Sequence, residues 1–190
     1  MLKCAVVLLC ALAPIALASK DTLIRHGDLV IISLWRIADP NAQIKNVLSK
    51  GSLLSSTAVL KTATVFQIES ASKNAPTLLN TYKSDVKLYR YTNSTSKPIQ
   101  CYMSPRLICS TLNGTTAAKR PPANAFIFRV LDKHTSKSHP LKHGDYIKFR
   151  SKATQVDCNT EPKTKYINCG TKSNDPYSYG FVILKYALLV

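Results

Sequence analysis

Positively charged side chains are concentrated between residues 129 and 152. The stretch holds seven basic residues: Arg129, Lys133, Lys137, Lys142, Lys148, Arg150 and Lys152. If Ile147 and Phe149 point inward from a β-strand, the basic residues between and after them point outward together. Converging cations bind sulfate or phosphate groups, and arginine does so through paired hydrogen bonds. The six residues other than Arg129 are therefore predicted to form a ligand-binding patch, with a merely solvated basic surface as the alternative.

The four histidines, His26, His134, His139 and His143, do not have the spacing of a metal site. His139 and His143 are four residues apart, which suits one face of a helix, but Pro140 disfavours a helix there. His26 and His143 each precede Gly-Asp, which is typical of a turn because glycine accepts a positive φ and aspartate bonds back to the backbone. The sequence therefore predicts turn and loop histidines, no metal site and no cofactor.

Motifs of known catalytic sites are missing from the sequence. The chain contains neither a Gly-x-Ser-x-Gly nucleophile turn nor a glycine-rich phosphate loop. No two of its acidic residues form a pair placed for glycoside hydrolysis. We therefore expect a protein that binds a partner and does not catalyse a reaction.

Four cysteines lie beyond the segment 1–18: Cys101, Cys109, Cys158 and Cys169. Four cysteines allow three disulfide connectivities, and the missing C-x-x-C spacing disfavours a metal site. Each successive pair flanks a turn containing proline, so two adjacent antiparallel strands would bring its sulfur atoms together. We expect the disulfides Cys101–Cys109 and Cys158–Cys169, each of which closes a short loop.

The chain reads as three similar segments of short strands. Asp28, Asp85 and Asp145 each precede a strand-like run, and the intervals between them are nearly equal. Similar runs centred on phenylalanine close the segments, at Phe66, Phe128 and Phe181. Between these runs, stretches rich in β-branched and aromatic residues alternate with Gly, Pro, Asn and Ser, as in all-β proteins. The pattern predicts one all-β domain built from three repeated units.

Three such units, each with four short strands and a central hairpin, resemble the β-trefoil, in which six strands close a barrel and three hairpins cap one end. The resemblance implies an all-β protein: a β-trefoil of three pseudo-repeats with two intra-repeat disulfides, forming a single domain over 19–190. The repeats would span about 20–70, 77–133 and 138–188. The stretch PLKHGDYIKFRS (140–151) is similar to the opening strand of MIR-type units. Ricin-type lectins carry Gln-x-Trp near the end of each unit, whereas the one tryptophan here is Trp35, so their sugar-stacking pocket is not implied.

The segment 1–18, MLKCAVVLLCALAPIALA, has the pattern of a secretory signal peptide, with a basic residue, a short apolar run and a small-x-small end. No later apolar stretch is long enough to span a membrane, so no transmembrane segment is expected. Asn93 and Asn113 stand in glycosylation sequons. These features predict a secreted, extracellular glycoprotein, which we expect to be a monomer.

The excess of positive charge indicates acidic partners. The formal net charge of the full chain is +16, and Lys3 is the one charged residue in the segment 1–18. Such a charge attracts polyanions and exceeds what solubility requires. Outside a cell the candidates are sulfated glycans, anionic lipid surfaces and acidic proteins, while nucleic acid is not expected. The leading hypothesis is a non-catalytic protein that recognises an acidic glycan or a cell-surface or extracellular protein through its basic surface.

Two other functions stay open at this point. Kunitz-type soybean trypsin inhibitors are secreted trefoils with two disulfides, and DTLIRHGDLVIISL (21–34) resembles their opening strand. Their first disulfide usually links distant segments, which this cysteine layout does not suggest. Arg106, in the Ser-Pro-Arg sequence of the Cys101–Cys109 hairpin, would be the inhibitory residue for a trypsin-like protease. The second alternative is a secreted effector or cytokine-like ligand that engages a receptor.

Overall fold

The computed structural model describes most of the chain between residues 21 and 189. The described residues are 21–34, 46–49, 53–55, 63–74, 76–91, 97–104, 106–111, 120–160, 167–170, 172 and 180–189. Within them the strands are β1 (Leu29–Leu34), β2 (Asn46–Ser49), β3 (Leu53–Ser55), β4 (Val65–Ser70), β5 (Asp85–Tyr91), β6 (Ile99–Ser104), β7 (Arg106–Cys109), β8 (Phe128–Asp132), β9 (Tyr146–Ser151), β10 (Asn159–Thr160), β11 (Ile167–Asn168) and β12 (Phe181–Lys185). Short 3₁₀ turns form at Ala123–Phe126 and Tyr186–Leu188.

Six of the strands close into a barrel. β1 pairs with β4, β4 with β5, β5 with β8, β8 with β9, β9 with β12, and β12 again with β1, every pair antiparallel. The remaining strands form the hairpins β2–β3, β6–β7 and β10–β11. Closure leaves the barrel strands without an open edge. The prediction of an all-β fold is confirmed, and the closed six-strand barrel is like that of a β-trefoil.

Alternation along the strands explains which side chains fill the barrel. Buried and partly exposed residues alternate strictly along β4 and β9. The three closing phenylalanines, Phe66, Phe128 and Phe181, are among the largest fully buried side chains. Burying each such side chain contributes about 1.5–3 kcal/mol to the stability of the fold. The same alternation leaves Lys148 and Arg150 on the outer face of β9.

The two His-Gly-Asp sequences form the same turn. Gly27 and Gly144 have φ angles of +88° and +86°, which glycine adopts without steric cost. In the first turn, Asp28 Oδ2 accepts a hydrogen bond from the backbone N–H three residues earlier at 2.8 Å. In the turn before β9, Asp145 Oδ2 accepts the equivalent bond, also at 2.8 Å. The short polar side chain and the glycine together fix the direction in which β1 and β9 begin.

His26 and His143 join these turns to the closing strands. Nδ1 of His26 accepts a hydrogen bond from Ser70 N at 3.0 Å, and Nδ1 of His143 accepts one from Lys185 N at 3.1 Å. Both histidines therefore have a structural role, as the sequence predicts. In the part of the chain that the structure describes, no group of three or more His, Cys, Asp or Glu side chains is arranged to hold a metal ion.

The turn before β5 is made with other residues. Tyr82 stands in the place of glycine with a φ of +60°, and Ser84 Oγ accepts a hydrogen bond from Asn80 N at 2.9 Å. Ser84 thus does what the aspartate does in the other two turns, and the sequence alignment on Asp85 is wrong by one residue. The cause is one extra residue in this turn. Val86 is buried, so Asp85 points outward from the barrel.

Both predicted disulfides are present. Cys101 bonds to Cys109 across the β6–β7 hairpin, where the two residues are direct cross-strand partners. Cys158 bonds to Cys169 beside the β10–β11 hairpin. The bonded residues are 8 and 11 positions apart in sequence. Each closes a short loop, which stabilises the fold by about 2–3 kcal/mol.

Several predictions concern residues outside the described part of the chain. These are the signal peptide at 1–18 and the sequons at Asn93 and Asn113. The limits of the domain at 19–190 and of its three repeats also stay predictions. Among the described residues, no helix is long and apolar enough to cross a membrane.

Candidate anion-binding site

A cavity of about 300 Å³ lies on the outer face of β8 and β9. Val130, Ile147 and Phe149 of these strands are buried in the barrel, so the residues between them point outward. Four cations line the cavity: Arg129, Lys148, Arg150 and Lys152. Asp132 and Asp157 line it as well. The cavity is therefore polar and rich in positive charge, and its volume is at the lower end of that of ligand sites.

Two of the cations are direct cross-strand neighbours. Arg129 of β8 and Arg150 of β9 are paired in the strand register. Like charges directly opposite each other destabilise a sheet, so each arginine requires a counter-charge. Asp85 and Asp157, from different parts of the chain, supply one for each.

Asp85 binds Arg129 with a two-pronged contact. Arg129 Nε donates to Asp85 Oδ1 at 2.5 Å, and Nη2 donates to Oδ2 at 3.0 Å. Arg129 Nη1 also donates to the carbonyl of Tyr82 at 3.4 Å, and Lys152 Nζ lies 3.4 Å from Asp85 Oδ2. Burial tends to raise the pKa of Asp85, but Arg129 and Lys152 outweigh burial and lower it. The pair links the outer face of β8 to the start of β5.

Asp157 binds Arg150 more loosely. Arg150 Nε donates to Asp157 Oδ1 at 2.6 Å, and Lys148 Nζ lies 3.7 Å from Asp157 Oδ2. This hydrogen bond raises the pKa of Arg150 and so favours its charged form. The turn after β9 positions Asp157, because Ser151 N donates to the Val156 carbonyl at 3.1 Å. The Arg150 side chain is 43% exposed, against 35% for Arg129, so it is the more accessible guanidinium.

Asp132 organises the loop that follows β8. Its Oδ1 accepts hydrogen bonds from the N–H groups of His134 and Thr135 at 2.7 and 2.6 Å, and its Oδ2 lies 2.8 Å from His139 Nε2. Burial tends to raise the pKa of Asp132, but the bonds from His139 and the backbone lower it. The Pro140 carbonyl and Asp132 raise the pKa of His139. Protonated His139 therefore offsets one carboxylate of the cavity, which makes the cavity more positive at acid pH.

Two lining residues have a left-handed backbone. Tyr82 and Gln155 have φ angles of +60° and +57°, which are uncommon outside glycine. The Tyr82 hydroxyl donates to the Thr135 carbonyl at 2.7 Å and lies 3.1 Å from the Asp132 carbonyl. Gln155 Nε2 donates to the Lys152 carbonyl at 3.0 Å. Both side chains are thus held at the cavity, and such backbone outliers are frequent at ligand sites.

The structure brings three of the six predicted patch residues together. The three that lie beyond residue 146 line the cavity. Lys133 is half-buried near Lys148, and burial together with the charge of Lys148 lowers its pKa. Lys137 and Lys142 are exposed in the segment before β9 and do not line the cavity.

The sequence does not predict several residues that lie in the cavity or beside it. The predicted patch does not contain Arg129, although this residue directly precedes buried Val130 and strand alternation places it outward beside β9. Asp85 and Tyr82 lie far away in the sequence, and nothing local indicates that the β5–β8 pairing brings them here. Asp157 reaches Arg150 through a reverse turn that the sequence pattern does not reveal.

Arg106 is not displayed as the inhibitor hypothesis requires. It is half-buried, and its backbone is paired with Ser104 of β6 and with Asn168 of β11. An inhibitory residue has to lie in an exposed, extended loop that a protease can grip. Pro105, at the tip of the hairpin, lies outside the described residues. The position of Arg106 within a three-strand arrangement does not favour the protease-inhibitor alternative.

Comparisons with known proteins support the fold. No family model matches the chain, and no curated protein matches it in sequence. The crystal structure of the SDF2-like protein from Arabidopsis thaliana is similar, with a TM-score of 0.53 and 8% identity over 85% of this chain and 94% of that one. A Caenorhabditis elegans protein of unknown function, solved by structural genomics, has a TM-score of 0.49 and 8% identity over 88% of this chain and 98% of that one. At this identity the likeness to the Arabidopsis protein shows a shared fold alone.

Proposed function

We propose that this chain is a secreted, non-catalytic protein that binds an acidic glycan through the cavity on β8 and β9. The observation that carries the proposal is the convergence of four cations on one outer face of a closed barrel. Even with Asp85 counted beside Asp132 and Asp157, cations outnumber carboxylates there. The net charge of +16 adds a long-range attraction for polyanions. An acidic face of an extracellular protein is the alternative ligand.

The proposal includes a β-trefoil of three MIR-like units within a domain over 19–190. Support comes from the segments that precede β1, β5 and β9, which bond to one another in a ring. Ile24 N donates to the Leu141 carbonyl at 2.8 Å, Leu141 N to the Leu79 carbonyl at 2.8 Å, and Leu79 N to the Ile24 carbonyl at 3.2 Å. A pseudo-threefold axis through the barrel accounts for this ring and for the three hairpins.

The state of the carboxylates favours binding over catalysis. Asp85 and Asp157 are each held by an arginine, and Asp132 is held by His139 and two backbone N–H groups. A general base needs a pKa near the working pH. The pKa values of Asp85 and Asp132 are instead lowered, so these carboxylates serve as fixed counter-charges.

Export through the secretory pathway is supported by two independent features. The segment 1–18 has the pattern of a signal peptide. The two disulfides require an oxidising compartment to persist. An extracellular location also matches the ligand, because sulfated glycans are the abundant polyanions outside cells.

Elution from two columns tests the proposal. The protein is loaded on immobilised heparin and, separately, on a sulfopropyl cation exchanger, and the eluting salt concentration is measured on each. A built site for acidic glycans predicts elution from heparin at clearly higher salt than from the exchanger. Elution at the same salt on both columns would show that net charge alone causes retention, and would overturn the proposal. Tight retention of an acidic extracellular protein in that case would favour the protein ligand.

A further inference from the structure

The cavity contains more than the cations that a polyanion requires. Leu131, only 7% exposed, and the ring of Tyr82 contribute apolar surface beside the charged groups. Gln155 and two aspartates contribute polar groups that carry no positive charge. Contact with the anionic groups of a chain requires neither an aromatic ring nor an amide side chain in the site. The lining instead has the mixed composition of a site for a polar organic molecule.

The cations of the cavity differ in how far they are already engaged. All three kinds of guanidinium nitrogen of Arg129 donate to protein oxygens. Arg150 donates to Asp157 through Nε, and among the described residues its terminal nitrogens have no acceptor. Lys148 Nζ, 3.7 Å from Asp157, is beyond hydrogen-bond distance of it. Arg150 and Lys148 are therefore the two cations best placed to receive the oxygens of a tetrahedral anion.

Acceptors for hydroxyl groups lie beside these two cations. Asp157 adjoins both Arg150 and Lys148, and a carboxylate has four lone-pair positions for donors. The amide oxygen of Gln155 has no donor among the described residues, while its Nε2 is fixed on the Lys152 carbonyl. Hydroxyls of a ligand can therefore donate to Asp157 and Gln155 while its anionic group contacts the cations.

We propose that this cavity is a subsite for one sugar residue that carries a sulfate or phosphate ester. The inference rests on the proposed binding of an acidic glycan and names the unit that the cavity holds. The ester group contacts Arg150 and Lys148, and the sugar hydroxyls donate to Asp157 and Gln155. The apolar face of the sugar ring packs against Tyr82, whose hydroxyl is anchored at 2.7 Å on the Thr135 carbonyl.

The test measures binding of four small molecules to the purified full chain by NMR titration at constant ionic strength. They are glucose 6-sulfate, glucose 6-phosphate, inorganic sulfate and glucose. The subsite predicts that at least one sugar ester binds about tenfold or more tightly than inorganic sulfate, because the sugar adds hydrogen bonds and ring contact. The comparison of the two esters identifies whether sulfate or phosphate is the preferred anion. Equal binding of both esters and inorganic sulfate would overturn the subsite.

Variants assign the effect to the sugar-contacting residues. Gln155→Gly removes the amide at a left-handed position that glycine adopts readily, so the fold is retained. We expect it to lower affinity for the sugar ester several-fold and to leave that for inorganic sulfate unchanged. Tyr82→Ala should likewise lower affinity for the sugar ester and leave affinity for inorganic sulfate unchanged. Tyr91→Ala, at the end of β5, is the matched control and should change neither affinity. For either variant, an equal loss of affinity for the sugar ester and for inorganic sulfate would overturn the inference. Elution of the unsubstituted protein at the same salt concentration from heparin and from the cation exchanger would instead overturn the proposed function.

Discussion

The two arginine–aspartate pairs of the cavity lie side by side but are built differently. Arg129 reaches Asp85 with two hydrogen bonds and joins β8 to a residue 44 positions earlier in the chain. Arg150 reaches Asp157, seven positions later, through Nε alone. The first pair therefore fastens distant parts of the barrel, whereas the second lies within one strand and the turn that follows it.

This difference shows how a basic surface can be both part of the fold and open to a ligand. Cross-strand arginines repel each other, and the barrel tolerates them because each has its own carboxylate. In the Arg129 pair, Nε, Nη1 and Nη2 of the guanidinium each donate to a protein oxygen. The terminal nitrogens of Arg150 have no acceptor among the described residues, so the acidic ligand that we propose binds this guanidinium and leaves the Arg129 pair in place.

The largest effect on stability should come from breaking the first pair. We expect Arg129→Ala to lower the free energy of unfolding by about 2 kcal/mol, since a partly buried Asp85 would keep only Lys152 as a counter-charge. Arg150→Ala should cost less than about 1 kcal/mol, because its side chain is more exposed and solvent screens the pair. Urea unfolding of both variants provides the measurement.

Arg120→Ala is the matched control, since Arg120 is exposed and does not line the cavity. Its cost should be within about 0.5 kcal/mol of zero. A cost for Arg150→Ala equal to or larger than that for Arg129→Ala would contradict the distinction between the two pairs.

A smaller, pH-dependent effect should come from His139, which holds the third carboxylate, Asp132. The pKa of His139 is raised in the fold, so its stabilisation is complete below about pH 6.5 and is lost as the pH rises through the raised pKa. The pKa of Asp132 is lowered, so its own contribution is present above about pH 3.8 and is lost as the pH falls through the lowered value. The pair therefore stabilises most between these limits.

We expect His139→Gln to lower the free energy of unfolding by about 1 kcal/mol at pH 5.5, after allowing for the 31% exposure of the histidine side chain. At pH 8.5 the cost should be clearly smaller. Chemical unfolding of the variant and the unsubstituted protein at both pH values measures the difference between their free energies of unfolding. A difference that is equal at the two pH values, or larger at pH 8.5, would contradict the charged His139–Asp132 pair.

Much of the fold can be predicted from short-range features of the sequence. The Gly-Asp turns, the closing phenylalanines and the cysteines that flank proline turns each express a short-range rule, and the structure agrees with all three. The error at Asp85 arose because the middle turn replaces glycine by Tyr82 and aspartate by Ser84, with one residue more. Spacing alone cannot detect such an insertion.

The candidate site can be predicted only in part from the sequence. Strand alternation correctly placed the basic residues of β9 on one outer face. Nothing in the sequence showed that Asp85 and Asp157 would neutralise part of this charge, because those contacts depend on strand pairing and on a reverse turn. The predicted patch contains Lys137 and Lys142 because they are close to β9 in sequence, but proximity in sequence does not determine position on a barrel surface.

The most direct test of the basic site compares two double variants with the same net charge. Arg150→Ala with Lys148→Ala removes two cations from the cavity, and Arg120→Ala with Lys73→Ala removes two exposed cations elsewhere. Affinity for heparin is measured for both at about 0.15 M salt. We predict a loss of about tenfold or more for the first variant and less than about twofold for the second. An equal loss for both would show that total charge and not the cavity governs binding, and would contradict the proposed site.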